Sequence, residues 1–130
     1  MAGVVLDAGV VIGLYNDKDL HHKWAVDFMF QTTSATLHIS ALNYAEIAVA
    51  PLKNNLEKPF FKGIEGLELE ISSIKAQDTW QLTQLRAETG LRMTDVCPIL
   101  VSKKMGLPLA TTDKLVAKAA LAMGIEVYQP

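Results

Sequence analysis

Short apolar runs alternate along the chain with longer stretches whose apolar residues recur at helical spacing. The short runs predict β-strands at residues 4–6, 37–39, 67–71, 107–111 and 125–128. The longer stretches predict helices at residues 8–15, 19–31, 40–51, 52–64, 75–89, 95–105 and 114–123. Pro59 should interrupt the fourth helix, and Gly63 and Gly66 should end it. Strand–helix units repeated in this way are typical of an α/β fold with helices on both faces of a parallel sheet.

Right-handed crossovers restrict such a parallel sheet to a few doubly wound strand orders. Ligands of these folds bind beyond the carboxyl ends of the strands, at the point where the strand order reverses. In the order 3-2-1-4-5, the first and fourth strands are neighbours that flank this point. The residues that directly follow those two strands are therefore the first candidates for a functional site.

Aspartates follow both of these strands. Asp7 comes directly after the first strand, and Asp113 comes after the fourth, across two threonines. Asp7 has apolar neighbours on both sides, and a buried carboxylate is costly unless a cation or hydrogen-bond donors compensate its charge. No lysine, arginine or histidine adjoins Asp7 in the sequence, so an external cation is its simplest partner.

Glu46 and Asp95 lie where their predicted helices can direct them to the same end of the sheet. Glu46 comes a little under two helical turns after Ser40, a good N-cap, and Asp95 opens its helix with Thr94 as the expected cap. Each acid also has a simpler interpretation. Glu46 could be a solvated residue of an amphipathic helix, and Asp95 or Asp113 could only favour the helix dipole, which is worth about 0.3–1 kcal/mol.

These carboxylates form an all-oxygen donor set, which suits Mg²⁺ or Mn²⁺ better than zinc or copper. A bound divalent ion activates water for in-line attack on a phosphodiester and stabilises the charge on the transferring phosphoryl group. One of the carboxylates can accept the proton of that water. The pattern therefore favours a metal-dependent nuclease.

The composition narrows the alternatives. The 130 residues provide for one domain, 1–130, and half of them are apolar, an ordinary share for a globular fold. Cys97 is the only cysteine, which excludes an intramolecular disulfide and zinc sites built on paired thiolates and favours a cytoplasmic protein. No apolar run approaches the roughly 20 residues of a membrane-spanning helix. The net charge of −2 is unlike that of a basic protein that coats nucleic acid.

Four short motifs occur in order along nearly the whole chain. Residues 4–8 (VVLDA) contain the first acid, and residues 40–47 (SALNYAEI) contain the second. Thr94-Asp95 and the TTD sequence at residues 111–113 contain the others, with KKMGLPL at residues 103–109 between them. In sequence and spacing these motifs resemble the PIN-domain family, and most closely the VapC-like toxins of bacterial and archaeal toxin–antitoxin pairs.

The resemblance implies a three-layer α/β/α fold with a five-stranded parallel sheet of order 3-2-1-4-5. It also implies Mg²⁺- or Mn²⁺-dependent cleavage of single-stranded RNA by a homodimer that an antitoxin protein neutralises. By motif match, the catalytic and metal-binding acids are Asp7, Glu46, Asp95 and Asp113. Thr111 falls where the family often has a hydroxyl that orients the last acid.

The chain departs from the family pattern in three places. Gly9 stands where serine, threonine or asparagine is usual, and Leu115 and Val116 replace an acid often found shortly after the last aspartate. Cys97 and Pro98 interrupt a helix start that is usually regular and rich in alanine. The alternatives to a toxin are a degenerate, non-catalytic PIN-like interaction module and a PIN nuclease that acts in RNA processing or on DNA.

The second predicted helix is apolar around most of its circumference, since Lys23, Asp27 and Gln31 form only a narrow polar strip. One face of a sheet does not cover so wide an apolar surface. An exposed aromatic patch usually marks a partner surface. We therefore predict a dimer or antitoxin interface at this helix, extended by Phe60 and Phe61.

Overall fold

The computed structural model describes residues 1–130 and has a parallel sheet between two layers of helices. The strands are β1 (Gly3–Leu6), β2 (Thr36–Ser40), β3 (Glu70–Ser72), β4 (Leu109–Ala110) and β5 (Val127–Tyr128). The α-helices are α1 (Ala8–Tyr15), α2 (His22–Gln31), α3 (Ala41–Ile47), α4 (Val49–Lys53), α5 (Glu57–Glu65), α6 (Thr79–Thr89), α7 (Met93–Met105) and α8 (Lys114–Ala122). A turn of 3-10 helix, Ala76–Asp78, precedes α6. The predicted α/β/α class is confirmed.

The strand order is β3-β2-β1-β4-β5, and every neighbouring pair is parallel. This confirms the predicted order 3-2-1-4-5. β1 lies in the centre, where Leu6 pairs with Ala110 of β4. The hydrogen bond from Asp7 N to Ala110 O, 2.9 Å long, continues this pairing to the ends of the two strands. The segments that follow β1 and β4 therefore start side by side.

β1 supplies side chains to both hydrophobic layers because successive residues of a strand point to opposite faces. Val5 packs with buried residues of α6, α7 and α8, whereas Val4 and Leu6 pack with those of α1, α2 and α5. All three side chains have no exposed surface. Burying each of them contributes roughly 1.5–3 kcal/mol, so the central strand is anchored on both sides.

The structure corrects two helix boundaries that involve proline. The predicted helix 40–51 ends at Ile47, and Pro51 lies inside the short helix α4. Pro59 does not interrupt a helix, since it is the third residue of α5. Both prolines occupy the first turn of a helix, where the backbone N–H has no partner within the helix and its absence costs little.

Two further boundaries were also predicted wrongly. The second helix begins at His22 rather than at residue 19, because Asp19 instead accepts a 2.8 Å hydrogen bond from His21 N and closes the preceding turn. The third strand begins at Glu70 rather than at residue 67, because Leu67 N and Glu68 N bond back to the end of α5. Glu68 has a positive φ of 51°, which no strand residue adopts.

Much of the apolar surface of α2 belongs to the core. Phe28 is buried, and the ring of Trp24 stacks on it with 5.2 Å between the ring centroids. Leu20 and Phe30 remain 90% and 75% exposed, and Phe61 is 39% exposed. The predicted partner surface is thus reduced to a few side chains, and it stays a prediction. None of the helices combines the length and the apolar character needed to cross a bilayer.

Candidate active site

Asp7 is the N-cap of α1 at the carboxyl end of β1. Its Oδ1 accepts a 2.9 Å hydrogen bond from Ala8 N, and the residue is only 7% exposed. The turn from strand to helix at this position leaves the carboxylate at the end of the sheet, as the sequence predicted. Asp7 has no lysine or arginine partner, so its negative charge is not neutralised.

Thr111 connects the ends of β1 and β4. The residue has no exposed surface, and its Oγ1 donates a 2.7 Å hydrogen bond to Asp7 Oδ2. The same oxygen accepts a 3.0 Å bond from Asp113 N. Asp113 then caps α8, since its Oδ1 accepts bonds from Leu115 N at 2.8 Å and Val116 N at 3.2 Å. The hydroxyl thus fixes both aspartates, which sequence spacing alone could only suggest.

Glu46 is held by a buried amide that the sequence analysis missed. Asn43 Nδ2 donates a 2.9 Å hydrogen bond to Glu46 Oε1 and a 3.0 Å bond to Thr94 O. Ser40 caps α3 as predicted, accepting from Asn43 N at 3.1 Å. The repeated three-residue spacing from Ser40 through Asn43 to Glu46 could have indicated this line of polar side chains along one helix face.

Asp95 lies in the first turn of α7, which begins at Met93 with Arg92 as its N-cap. The prediction that Thr94 caps this helix was therefore wrong. The Arg92 guanidinium forms two hydrogen bonds with the carboxylate, from Nε at 3.1 Å and from Nη2 at 3.2 Å. The arginine side chain is 75% exposed and that of the aspartate 13%, so the cation covers the acid from the solvent side.

The electrostatics indicate that the four acids share one local field. Burial raises the pKa of Asp7 to about 6, against the hydrogen bonds from Thr111 and Ala8, and the charges of Asp95 and Glu46 raise it further. Asp95, Glu46 and Asp113 all raise the pKa of Arg92, with Asp95 contributing most. Arg92 is thus attracted by three acids, and Asp7 is repelled by two. This end of the sheet therefore carries a net negative charge.

Cys97 lies beside these acids without being a nucleophile. Burial, and then the charge of Glu46, raises the pKa of its thiol to about 11. Only the thiolate reacts readily as a nucleophile or binds metal. The thiol instead donates to Met93 O at 3.3 Å, within its own helix.

The four acids do not form a closed metal cage. No three acidic, histidine or cysteine side chains converge closely enough to hold an ion as they stand. The chemistry of the donor set nevertheless fits Mg²⁺ or Mn²⁺, because a buried carboxylate without a cationic partner lies in the field of other carboxylates, and the nearby Cys97 thiol is protonated. Mg²⁺ commonly binds through one or two carboxylates and keeps several waters, which a closed cage does not require.

Thr112 occupies the space that a side chain at Gly9 would need. A Cβ atom placed at Gly9 would lie 2.5 Å from Thr112 Oγ1. A hydroxyl from the segment after β4 therefore lies where the first side-chain atom of another residue at position 9 would be.

We expect Gly9→Ala to be coupled to Thr112. Alanine in the first turn of α1 should stabilise a Thr112→Ala protein by about 0.5–1 kcal/mol, because glycine is a poor helix former. In the parent chain this gain should be lost, since the threonine must rotate away. Urea denaturation of the two single variants and the double variant should give a coupling free energy of about 1 kcal/mol. Additive effects would contradict the close contact.

The chain was compared with known families, sequences and structures. The family model described as PIN domain matches residues 4–121, which include all four acids and Thr111. No curated protein sequence matches the chain significantly.

Several solved structures share the fold. VapC20 of Mycobacterium tuberculosis, a toxin that cleaves the sarcin–ricin loop, has a TM-score of 0.74 at 13% identity, with 90% of this chain and 95% of that chain covered. DNA-bound VapBC from Salmonella typhimurium has a TM-score of 0.74 at 20% identity, with 99% and 98% covered. A toxin–antitoxin complex from Klebsiella pneumoniae has a TM-score of 0.67 at 20% identity, with 85% and 87% covered. Because the family model spans most of the sequence and the strand order agrees with it, this chain belongs to the PIN domain family.

Proposed function

We propose that this protein is a metal-dependent endoribonuclease that cleaves single-stranded RNA, as the toxin of a toxin–antitoxin pair. One observation carries the proposal. The buried carboxylate of Asp7 is joined through Thr111 to Asp113, and it lies in the field of Glu46 and Asp95 at the carboxyl ends of the central strands. A buried acid without a cationic partner is costly to the fold, and a function that needs a divalent cation accounts for it.

In this proposal Asp7, Glu46, Asp95 and Asp113 hold Mg²⁺ or Mn²⁺. When bound, the ion lowers the pKa of a water molecule and neutralises charge on the phosphoryl group. The chain prepares the ligands, since Thr111 and Ala8 orient Asp7 while the α8 backbone orients Asp113. Arg92 is mostly exposed, so its guanidinium can leave the Asp95 carboxylate and bind an RNA phosphate instead. A guanidinium binds both groups through paired hydrogen bonds.

The direct test is cleavage of a labelled single-stranded RNA by the purified protein. We expect cleavage with Mn²⁺ or Mg²⁺, none with EDTA, and none by Asp95→Asn even when metal is present. Asp27→Asn is the matched control, because it removes an exposed acid of α2 away from the site. A DNA oligonucleotide of the same sequence is tested in parallel. Its cleavage in place of the RNA would identify a DNA nuclease.

The outcomes separate the alternatives. Metal binding without cleavage of either nucleic acid would favour the non-catalytic interaction module. Failure to bind divalent ions at millimolar concentration would reject the catalytic proposal. Growth arrest on expression of the parent protein, absent with Asp95→Asn, would distinguish a toxin from a nuclease of RNA processing.

We further propose that an antitoxin binds this protein, because the similar structure from Klebsiella pneumoniae is a toxin–antitoxin complex. A groove of about 800 Å³ runs from Glu46 along α1, α4 and α5, and Ile12, Leu56 and Phe60 give it an apolar lining. An apolar segment bound there would also cover Glu46, which would couple binding to inhibition. A homodimer that buries Leu20 or Phe30 is part of the same proposal. A protein encoded by the adjacent gene should suppress RNA cleavage when it is added in equimolar amount.

A further inference from the structure

A buried amide links α3 to the start of α7. Asn43 has no exposed surface, and its two Nδ2 protons are donated to Glu46 Oε1 and to Thr94 O. Its Oδ1 accepts from Ser40 Oγ, and its backbone N donates to the same hydroxyl oxygen. Both amide protons and the amide oxygen therefore have partners within one small network.

The orientation of this amide is fixed by the network. A flipped side chain would bring Asn43 Oδ1 against the Glu46 carboxylate and the Thr94 carbonyl, and both of these groups only accept hydrogen bonds. It would also leave the Ser40 hydroxyl proton without its acceptor. Because one arrangement alone satisfies all the groups, the amide holds Glu46 at a defined distance from the backbone of residue 94. Glu46 is partly buried, and one of its carboxylate oxygens is bound by this amide.

Pro98 leaves the Thr94 carbonyl free to accept the hydrogen bond from Asn43 Nδ2. In a regular helix the N–H of residue 98 would donate to the carbonyl of Thr94. Proline has no N–H, and its ring also disfavours close contact with that carbonyl. The Thr94 carbonyl therefore has no partner from residue 98, and it accepts a 3.0 Å hydrogen bond from Asn43 Nδ2 instead. Thr94 directly precedes Asp95, so the bond connects the second acid to the position of the third.

We propose that Asn43 and Pro98 are positioning residues that set the separation of Glu46 and Asp95 for a shared divalent ion. The inference rests on the proposed metal-dependent function. It assigns a role to the proline that interrupts α7 and to an asparagine that is not itself an acid of the site. Neither residue contacts the ion in this proposal, since Asn43 acts through the Glu46 carboxylate and Pro98 acts through the Thr94 carbonyl.

The test is the Mn²⁺ affinity of the metal-free protein, measured by calorimetry without RNA. Asn43→Ala should weaken Mn²⁺ binding about tenfold, because loss of a residue that orients a metal ligand typically costs 10–100-fold in affinity. Pro98→Ala restores a helical donor that competes for the Thr94 carbonyl, and it should weaken binding in the same direction by a smaller factor. In a Glu46→Gln background, Asn43→Ala should cause no further loss.

The matched control is Asn54→Ala, which removes a similar 2.9 Å bond from an exposed asparagine amide to the carbonyl of Ala50. It should leave Mn²⁺ affinity unchanged. Melting curves verify that each variant is folded, and Pro98→Ala preserves the test should Asn43→Ala fail to fold, since alanine is accepted in any helix interior.

Two results would overturn the inference alone. One is an unchanged Mn²⁺ affinity in Asn43→Ala and Pro98→Ala while Glu46→Gln binds more weakly. The other is an equal loss from Asn43→Ala with and without Glu46→Gln, which is what a merely structural role predicts. An unchanged affinity in Glu46→Gln itself would instead contradict the metal-binding role of Glu46 in the proposed function.

Discussion

Replacing Asp7 by asparagine is expected to abolish RNA cleavage and, in the same protein, to increase stability at neutral pH. Cleavage should fall by more than about a hundredfold, because even the loss of a partner that orients a metal ligand costs 10–100-fold. The fold should be kept, since the amide can accept from Ala8 N through Oδ1 and donate to Thr111 Oγ1 through Nδ2. The two effects have opposite signs because the carboxylate serves the site at the expense of the fold.

The gain in stability should depend on pH. The pKa of Asp7 is about 6 in the folded chain and 3.8 in an unfolded one. Below pH 3.8 both states hold the proton and the carboxyl carries no penalty. Between pH 3.8 and 6 the unfolded state releases its proton first, so the folded state loses stability as pH rises. Above pH 6 the carboxyl is ionised in both states, and the folded state bears the full cost of burying the charge. The difference between the two pKa values puts this cost at about 3 kcal/mol.

Chemical denaturation in EDTA between pH 4 and 8 measures this difference. The stability of Asp7→Asn relative to the parent should rise from near zero at pH 4 to a plateau above pH 6. Asp27→Asn, which changes an exposed acid, should show no such rise. A variant that is less stable than the parent at pH 7.5, or one that still cleaves RNA with Mn²⁺, would contradict the assignment of Asp7.

The strands and the position of the acids at their ends could be predicted because they depend on local patterns, whereas the strand order followed from the resemblance to the PIN-domain family. The apolar run before Asp7, the Ser40 cap before Glu46, and the two threonines before Asp113 each identify the end of a strand or the start of a helix. A parallel sheet then brings such ends together. The prolines were harder, since the effect of Pro51 or Pro59 depends on which turn of a helix contains it, and that boundary is not encoded by the proline itself.

The parts of the candidate site that could not be predicted are contacts between distant segments. The spacing of Asn43 from Glu46 indicates only a shared helix face, and the bond that links it to α7 exists because Thr94 lies opposite it. The match between Gly9 and Thr112 likewise requires α1 and the segment after β4 to be packed together. Arg92 pairs with an acid three residues later, a spacing that is common on solvated helix faces and does not by itself indicate a functional site.

Thr111→Val is expected to have the second-largest effect, and to act through the pKa of Asp7. Valine keeps the shape of the side chain but removes the 2.7 Å hydrogen bond to the carboxylate, and a hydrogen bond to a charged group contributes about 1.5–3 kcal/mol. Because this bond lowers the pKa of Asp7, its loss should raise that pKa further above 6. The acidic limb of the pH–activity profile should then move upward by about one pH unit or more.

Cleavage rates with saturating Mn²⁺ between pH 5.5 and 9 provide the measurement. At pH 6.5 the variant should be about four- to fortyfold slower than the parent, with a smaller deficit at pH 8.5, because a carboxyl protonated at lower pH becomes ionised again. Thr111→Ser keeps the hydroxyl and should follow the parent profile. Thr83→Val, which removes a 2.9 Å threonine bond on the exposed face of α6, controls for loss of a hydroxyl elsewhere. Superimposable profiles for Thr111→Val and the parent would mean that the hydroxyl only supports the fold, since a structural defect lowers activity without moving its pH dependence.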